Sequence, residues 1–527
     1  MPYFDLHCHP GLKTLFQLQN GNQKSVWEDL NPADGILSDI LESQSSLNML
    51  TKNKNVSLVC ITLHPPEIGM IDQILIKLAS KYGYPKLLNE DRLDEMISQE
   101  CTYQMTFEQE QENLFALPKD EYGNTIPKNI IFLKRGETFN PSIPDTLQVV
   151  FNIEGGHTFY DQKNRVKDMS AVLDNLDAFL DKNFKTLYIT PTHLTPNEFI
   201  THAYGNKILS KGRLLPKGIG ITPYGKAFID HTYSRGILID VKHMSLVSRR
   251  MFYEYRKLNG ITTPIVASHV GFNGNYWKFF KKDILVQKKK SYGYKTTIVP
   301  LPGVIPGANF YPLTINLYND DIREILASKG LMGISLDVRI LGGKVVSHVD
   351  EKEFFSIEEF DLLMGQDPDQ QISKLVGQLQ AGTIYNGDTT IDAANAEGSE
   401  KEEIDGAKTE LKEMTVKATS QQQSQNYTKH LRLVLNQILH VYKFSRDEGL
   451  PSPWNHMCIG SDFDGMVEAI DCCRNVTEFA AFAQALKIEL QNIVDIGFEY
   501  ELGLAPNEII DKIMFSNAVE FINKNCK

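Results

Sequence analysis

No apolar run in this 527-residue sequence approaches the roughly 18–20 residues that a membrane span needs, and no basic segment followed by an apolar stretch opens it. A membrane partner is therefore not expected. The chain as given reads as cytoplasmic, as would a chain trimmed of its signal. Cysteine is scarce and unpatterned: Cys8, Cys60, Cys101, Cys458, Cys472, Cys473 and Cys526 are odd in number and contain no Cys-x2-Cys pair. That fits reduced thiols rather than a disulfide framework or a structural zinc knot. Positive charge is in deficit too, with a formal net charge of -12 and basic residues dispersed along the chain. Phosphate-backbone binding has little to work with, so nucleic acid is not an expected partner. Internal repeats are missing as well. What is present is a composition 42% hydrophobic and 23% charged, that of a globular chain long enough to bury a large core.

Short apolar, β-rich runs bounded by polar or glycine-rich turns occur at 3–9, 56–63, 147–154, 185–190, 236–241, 263–268, 330–336 and 456–461. Helical periodicity lies between them, at 224–235, 245–258, 319–329 and 429–446. Eight buried strands alternating with helices predict an α/β fold, a (β/α)8 TIM barrel, more naturally than an open sheet. Two regions break the alternation and are read as insertions: about 81–144, with a Glu/Gln-rich helix near 106–117, and about 349–426, whose polar stretch predicts an exposed helical insertion or a mobile loop. The whole of 1–527 is read as one catalytic domain carrying lobes, closed by helices at 477–493 and 507–523.

Chemistry concentrates at the strand ends, where such a barrel places its catalytic groups. The first run, Tyr3-Phe-Asp-Leu-His7-Cys-His9, ends in His-x-His. Side chains two apart on a strand share a face, so both imidazoles can grip one ion, while Cys8 points into the barrel wall. The third ends Val150-Phe-Asn-Ile-Glu154-Gly155-Gly156-His157, and the fourth leads into Thr190-Pro-Thr-His193. The fifth gives Asp240-Val-Lys-His243, the sixth Ser268-His269, and the last Gly460-Ser-Asp462-Phe-Asp464-Gly465. Imidazole and carboxylate suit zinc or a similar divalent ion, and two such ions can share a carboxylate. His7 and His9 would hold the first, His243 and His269 the second, and Glu154 would span both. Asp462 then serves as general acid–base, and His193 donates to the developing oxyanion. Asp464 reads as structural.

These elements, with Pro191-Thr-His193-Leu-Thr-Pro-Asn197, Gly220-Ile-Thr222-Pro-Tyr-Gly225 and Ser516-Asn517-Ala518, resemble the membrane dipeptidase (renal dipeptidase-like) branch of the metal-dependent amidohydrolases, peptidase family M19. The matches run in the family's order from residue 1 to about 523. The resemblance implies a binuclear zinc barrel that hydrolyses dipeptides, with the same assignments as the strand-tip reading. Two departures stand out. The family's opening His-x-Asp is His-x-His here. Its carboxylate-clamping Arg-Asn has as counterpart Thr314-Ile315-Asn316-Leu317, which leaves Asn316 for substrate binding and no arginine. Arg213 or Arg339 is the candidate replacement. The expected partner is a small-molecule substrate, a dipeptide or small amide, and a homodimer is left open. Two other readings share the residues: a barrel-type metallo-phosphoesterase with three ions, and a non-catalytic binding protein on the same scaffold.

Overall fold

The computed structural model describes residues 2–526 apart from 18–24, 33–37, 54, 74–75, 78, 99, 121, 160–165, 167, 206–213, 291–292, 344–350, 384–419 and 499–500. In chain order its strands are β1 (Tyr3–Cys8), β2 (Val56–Leu63), β3 (Ile130–Phe132), β4 (Leu147–Glu154), β5 (Thr186–Thr190), β6 (Leu238–Ile239), β7 (Val266–Val270), β8 (Ile284–Lys290), β9 (Gly293–Ile298), β10 (Leu331–Ile334), β11 (Glu351–Phe355) and β12 (Met457–Ile459). Each apolar run of the sequence forms a strand, as β1, β2, β4, β5, β6, β7, β10 and β12. β4 is buried along its whole length and β2 nearly so, which is what continuous apolar runs dictate in a parallel sheet covered on both faces.

The parallel strands lie in two segments. One runs β1-β2-β4-β5-β6, with β3 added beside β4, and the other β12-β10-β7. Single parallel bridges join their edges, Asp240 with Val266 and Cys8 with Phe463. At the second seam Asp462 N–H donates to His7 O at 2.9 Å and His9 N–H to Phe463 O at 2.8 Å. The Ser461 amide and hydroxyl donate to the Asp5 carboxylate at 2.9 and 2.5 Å. In place of the expected closed (β/α)8 barrel, the described strands form a parallel α/β sheet in two segments joined only by single bridges. The cause is local: β6 and β12 are only two and three residues long, because the backbone leaves extended geometry early. It must reach left-handed φ at His243 (66°) and Asp462 (64°).

Helices follow the strands and begin on polar caps. Thr222 accepts from Gly225 N ahead of Pro223–Ser234, and Ser245 from Ser248 N ahead of Leu246–Leu258. Proline at the first position of Pro223–Ser234 has no N–H to leave unpaired. A large apolar cluster joins these helices to the sheet; a second packs Phe4, Leu6, Leu58, Val150 and Leu187 against Ala518, Phe521 and Ile522 of the C-terminal helix Asn517–Asn525. No helix of the described residues is long and apolar enough to cross a membrane.

The region around 81–144 carries helices Glu90–Ile97 and Tyr103–Phe115, and β3. The region around 349–426 carries β11 and helices Ile357–Met364 and Pro368–Gln380; its polar stretch at 384–419 lies outside the described residues. β11 pairs antiparallel with β9, and β9 with β8. A segment between β7 and β10 and one after β10 therefore form a single antiparallel lobe. Its Glu353 reaches Thr314, accepting from the amide at 3.0 Å and also from the hydroxyl.

Candidate metal centre

His7, His9, Glu154, His243, His269 and Asp462 converge at the C-terminal ends of β1, β4, β6, β7 and β12. His7 Nε2 and His9 Nε2 are 3.0 Å apart, and His243 Nε2 and His269 Nε2 are 3.1 Å apart. Their tautomers follow from what stands behind them. The Tyr188 hydroxyl donates to Leu6 O at 3.0 Å, so His7 must donate from Nδ1 to that hydroxyl at 2.8 Å, leaving the Nε2 lone pair facing inward. His269 repeats the device: the Ser268 hydroxyl donates to Asp240 Oδ2 at 2.6 Å and accepts from His269 Nδ1 at 2.8 Å. Asp240 also accepts from Thr190 Oγ1 at 2.7 Å.

Glu154 lies between the two imidazole pairs and is 2% exposed. Its Oε1 accepts no well-formed hydrogen bond, yet His243 Nε2 lies 3.2 Å away, His7 Nε2 3.5 Å and His269 Nε2 3.6 Å. Its Oε2 is 3.4 Å from His9 Nε2 and 3.8 Å from His193 Nε2. Asp462 Oδ1 is 3.3 Å from His9 Nε2, and Oδ2 is 3.9 Å from His269 Nε2. Lone pairs at these separations repel unless a proton or a cation stands between them. Zinc binds nitrogen at about 2.0–2.1 Å, so both imidazole pairs and the unsatisfied carboxylate oxygen fit such an ion. Among the described residues three groups place donor atoms within 4.8 Å of one another and could hold an ion: His7–Glu154–His269, His7–His9–Asp462 and His64–Glu154–His193.

Electrostatics agree with ligation. Burial and the other imidazoles push His9 down to about 3 and hold His243 and His269 well below the usual histidine range, keeping them neutral. Burial also disfavours the His7 cation, but Glu154 and then Asp462 outweigh it and hold its pKa up, a proton that a metal ion would displace. Burial alone would raise Glu154; His193 and His7 hold it well below the carboxylate range. Asp462 is pushed up to about 7 by burial, against the pull of His7. His243 and Asp462 sit at left-handed φ, unusual for residues other than glycine and concentrated where function fixes the backbone. Gly155, φ 94°, lets the chain turn after Glu154. At Gly465 a Cβ would come within 2.2 Å of Asp462 Oδ1 and 2.9 Å of the His9 ring, so only glycine leaves room there.

His193 is 2.5 Å from Glu67 Oε2 through Nδ1. Burial opposes the charge, but Glu67 and then Glu154 raise His193 to about 9, so a protonated ring points Nε2–H toward the Glu154 side. Glu67 also accepts from Thr195 N at 2.9 Å. Neither Glu67 nor His64 was among the residues read from the sequence. His64 donates from Nδ1 to Glu154 O at 2.9 Å, and its ring centroid is 4.5 Å from that of His193. His64 and Glu67 stand in Leu63-His64-Pro65-Pro66-Glu67 at the tip of β2, where no spacing marks them as a site. Asn316 is fully buried, and its Nδ2 donates to Ile340 O at 2.9 Å. Arg339 is held by the Asp337 carboxylate and by Met466 O; Arg213 lies outside the described residues. Asp464 accepts from Ser45 N at 2.7 Å and Lys13 Nζ at 2.7 Å, pinning the acidic turn to the segment before helix Leu47–Lys52.

No family model matches the chain, and no curated protein matches it. Among solved structures it is similar to a metallopeptidase from Rhodobacter sphaeroides liganded with a phosphinate mimic of the dipeptide L-Ala-D-Ala, at 11% identity and TM-score 0.46 over 100% of this chain and 99% of that one. It is similar to the dipeptidase AC, at 12% identity and TM-score 0.42 over 100% and 99%. It is also similar to the probable dipeptidase PvdM from Pseudomonas aeruginosa, at 13% identity and TM-score 0.46 over 99% and 94%. Of these, the dipeptidase AC is described as a metallopeptidase of family M19, the family that the sequence motifs resemble.

Proposed function

We propose that this chain is a metal-dependent hydrolase of dipeptides or related small amides, a (β/α)8 barrel with two divalent ions, zinc foremost, at the strand tips. The observation that carries the reading is the unsatisfied Glu154 Oε1, faced by the Nε2 atoms of His7, His243 and His269, with Asp462 beside them. Barrel closure is supported by parallel bridges at both seams, and the placement of all these groups at C-terminal strand ends is the one such barrels use for catalysis.

Bound ions would supply a Lewis acid and lower the pKa of water enough for it to attack at neutral pH. Around them the side chains divide the work. His7 and His9 would hold one ion and His243 and His269 the other, with Glu154 between the two pairs as their shared carboxylate. Asp462 takes the proton of the attacking water as the C–O bond forms and passes it to the leaving nitrogen as the C–N bond breaks. His193 Nε2–H, kept protonated by Glu67, donates to the carbonyl oxygen as charge builds there.

The phosphoesterase alternative needs a third ion. His64, Glu154 and His193 do lie within 4.8 Å of one another. However, His64 commits Nδ1 to Glu154 O, and His193 is held as a cation by Glu67, so this group is poorly suited to ligate. The deciding experiment is hydrolysis by zinc-loaded protein of a panel spanning free L-L and L-D dipeptides and N-blocked or cyclic amides, with Asp462→Asn as control. Cleavage that disappears in the control supports the reading. With Arg339 engaged by Asp337, tight competition by simple dipeptides is not expected. Phosphatase activity without amidase activity, or failure to retain metal, would overturn the proposal.

A further inference from the structure

A cavity of about 540 Å³ lies apart from the candidate metal centre, none of whose residues lines it. It opens where helix Leu246–Leu258, the turn Trp277–Phe279 and helix Asn319–Ala327 meet the inserted helices Ile357–Met364 and Pro368–Gln380. Its volume and its place at the junction of a lobe with the main body are those of a small-molecule site. The charged groups around it are equal in number by sign but unequally engaged. Asp320 accepts from Trp277 N and from Arg323 Nη1, both at 2.8 Å. Glu448 accepts from the Tyr276 hydroxyl at 2.8 Å and from Arg323 Nη2 at 2.7 Å. Asp367 caps helix Pro368–Gln380, accepting from Gln370 N at 3.0 Å. What remains is Arg250, Lys278 and Lys281 against a single acid, Asp369. Arg250 is 7% exposed, its guanidinium carbon 5.3 Å from the centre of the Trp277 ring. Its one hydrogen-bond partner among the described residues is Asp369 Oδ1, on a side chain 88% exposed. A buried guanidinium is costly unless its fork of N–H donors is filled, and a pairing with a solvated carboxylate is weak enough to be displaced.

We propose that this cavity binds a small organic anion, a carboxylate or phosphate group on an apolar body. The oxyanion takes the Arg250 fork in place of Asp369, since paired oxygens match the guanidinium edge, and the body lies along Tyr276, Trp277 and Leu363. The site is independent of the hydrolytic reading above and needs no metal ion.

The test is titration of the full-length protein with benzoate and with phenyl phosphate, against phenol and inorganic phosphate, followed by calorimetry and by tryptophan emission. At least one of the two aryl acids should bind about tenfold or more tighter than both controls, and the tighter of the two identifies the acid group. Trp277 is one of only three tryptophans, so Trp277→Phe should abolish the emission change. Arg250→Met should weaken binding about tenfold or more, the scale of lost hydrogen bonds to a charged group, and Arg250→Lys, which keeps the charge without the fork, should not restore it. Arg250 is packed, so thermal melting must show that its variants fold; Asp369→Asn, a change on an exposed side chain, supplies the second arm. Removing that competing carboxylate should strengthen binding about two- to fivefold. Aryl acids that bind no better than the controls, binding unchanged in folded Arg250→Met, an emission change that survives in Trp277→Phe, or binding not strengthened in Asp369→Asn would each overturn the proposal.

Discussion

Glu154, at the tip of β4, and Glu353, on β11 of the antiparallel lobe, are both removed from water, at 2% and 0% exposed, yet they hold opposite charge states at neutral pH. Burial pushes both upward. At Glu154 the imidazoles of His193 and His7 reverse the effect and hold the carboxyl ionised. At Glu353, hydrogen bonds from Thr314 and the distant Arg249 do not, and the group rises to about 8. Glu359, accepting from Ser245 Oγ at 2.6 Å, behaves as Glu353 does. A buried carboxylate thus stays charged only where cations or potential cations surround it. The strand tips are built for charge, and the lobe is built around neutral acids.

The comparison breaks most readily at Glu154. Glu154→Gln removes the charge but keeps the shape, so ion retention and turnover should both collapse, turnover by about three orders of magnitude or more, and a chelator should do the same reversibly to the wild type. Metal content after dialysis and initial rates measure this. A variant retaining two equivalents would mean that the carboxylate does not span the ions. Asp462→Asn comes next: both ions stay, and turnover falls by about two orders of magnitude or more, because the lost function is proton transfer. Full activity in that variant would move the general acid–base elsewhere.

The charged half was largely legible in the sequence because its signals are local. His7-x-His9, Glu154-Gly-Gly and Gly-Ser-Asp462 each end a run apolar enough to be a buried strand, and chain order then predicts which side chains share an end of the sheet. His64 and Glu67 escaped because a lone histidine followed by two prolines carries no spacing signal; only the fold brings Glu67 to His193. The neutral half was illegible for a different reason. β9 pairs with β11 across more than fifty residues, and Gly-Tyr-Lys-Thr-Thr-Ile is partly exposed, so neither apolarity nor alternation marks it as a strand. The interrupted seams were equally hidden, since the left-handed turns at His243 and Asp462 shorten β6 and β12 through backbone geometry that residue type does not encode.

Glu67→Gln probes the boundary between the two regimes. Without the anion, His193 loses the partner that holds it protonated, while the five residues proposed to hold the ions are untouched. Turnover should drop about tenfold with metal content unchanged, the scale typical of removing a group that orients a site residue. Loss of metal would instead place Glu67 among the groups that hold the ions.

The smallest effect on catalysis, and the sharpest contrast, is expected at Glu353. Its folded pKa of about 8 lies above the ordinary glutamate value of 4.5, so between those values the folded protein binds a proton that the unfolded chain does not. The stabilisation is complete below about pH 4.5, declines as pH rises, and is gone above about pH 8, with a slope near 1.4 kcal/mol per pH unit inside the window. Glu353→Gln mimics the protonated form and keeps an acceptor for Thr314, so stability measured by denaturant unfolding should match the wild type near pH 5 and exceed it at pH 8. Parallel wild-type and variant curves across that range would mean that Glu353 is ionised in the folded protein, and that Arg249 or another cation serves the lobe as the imidazoles serve Glu154.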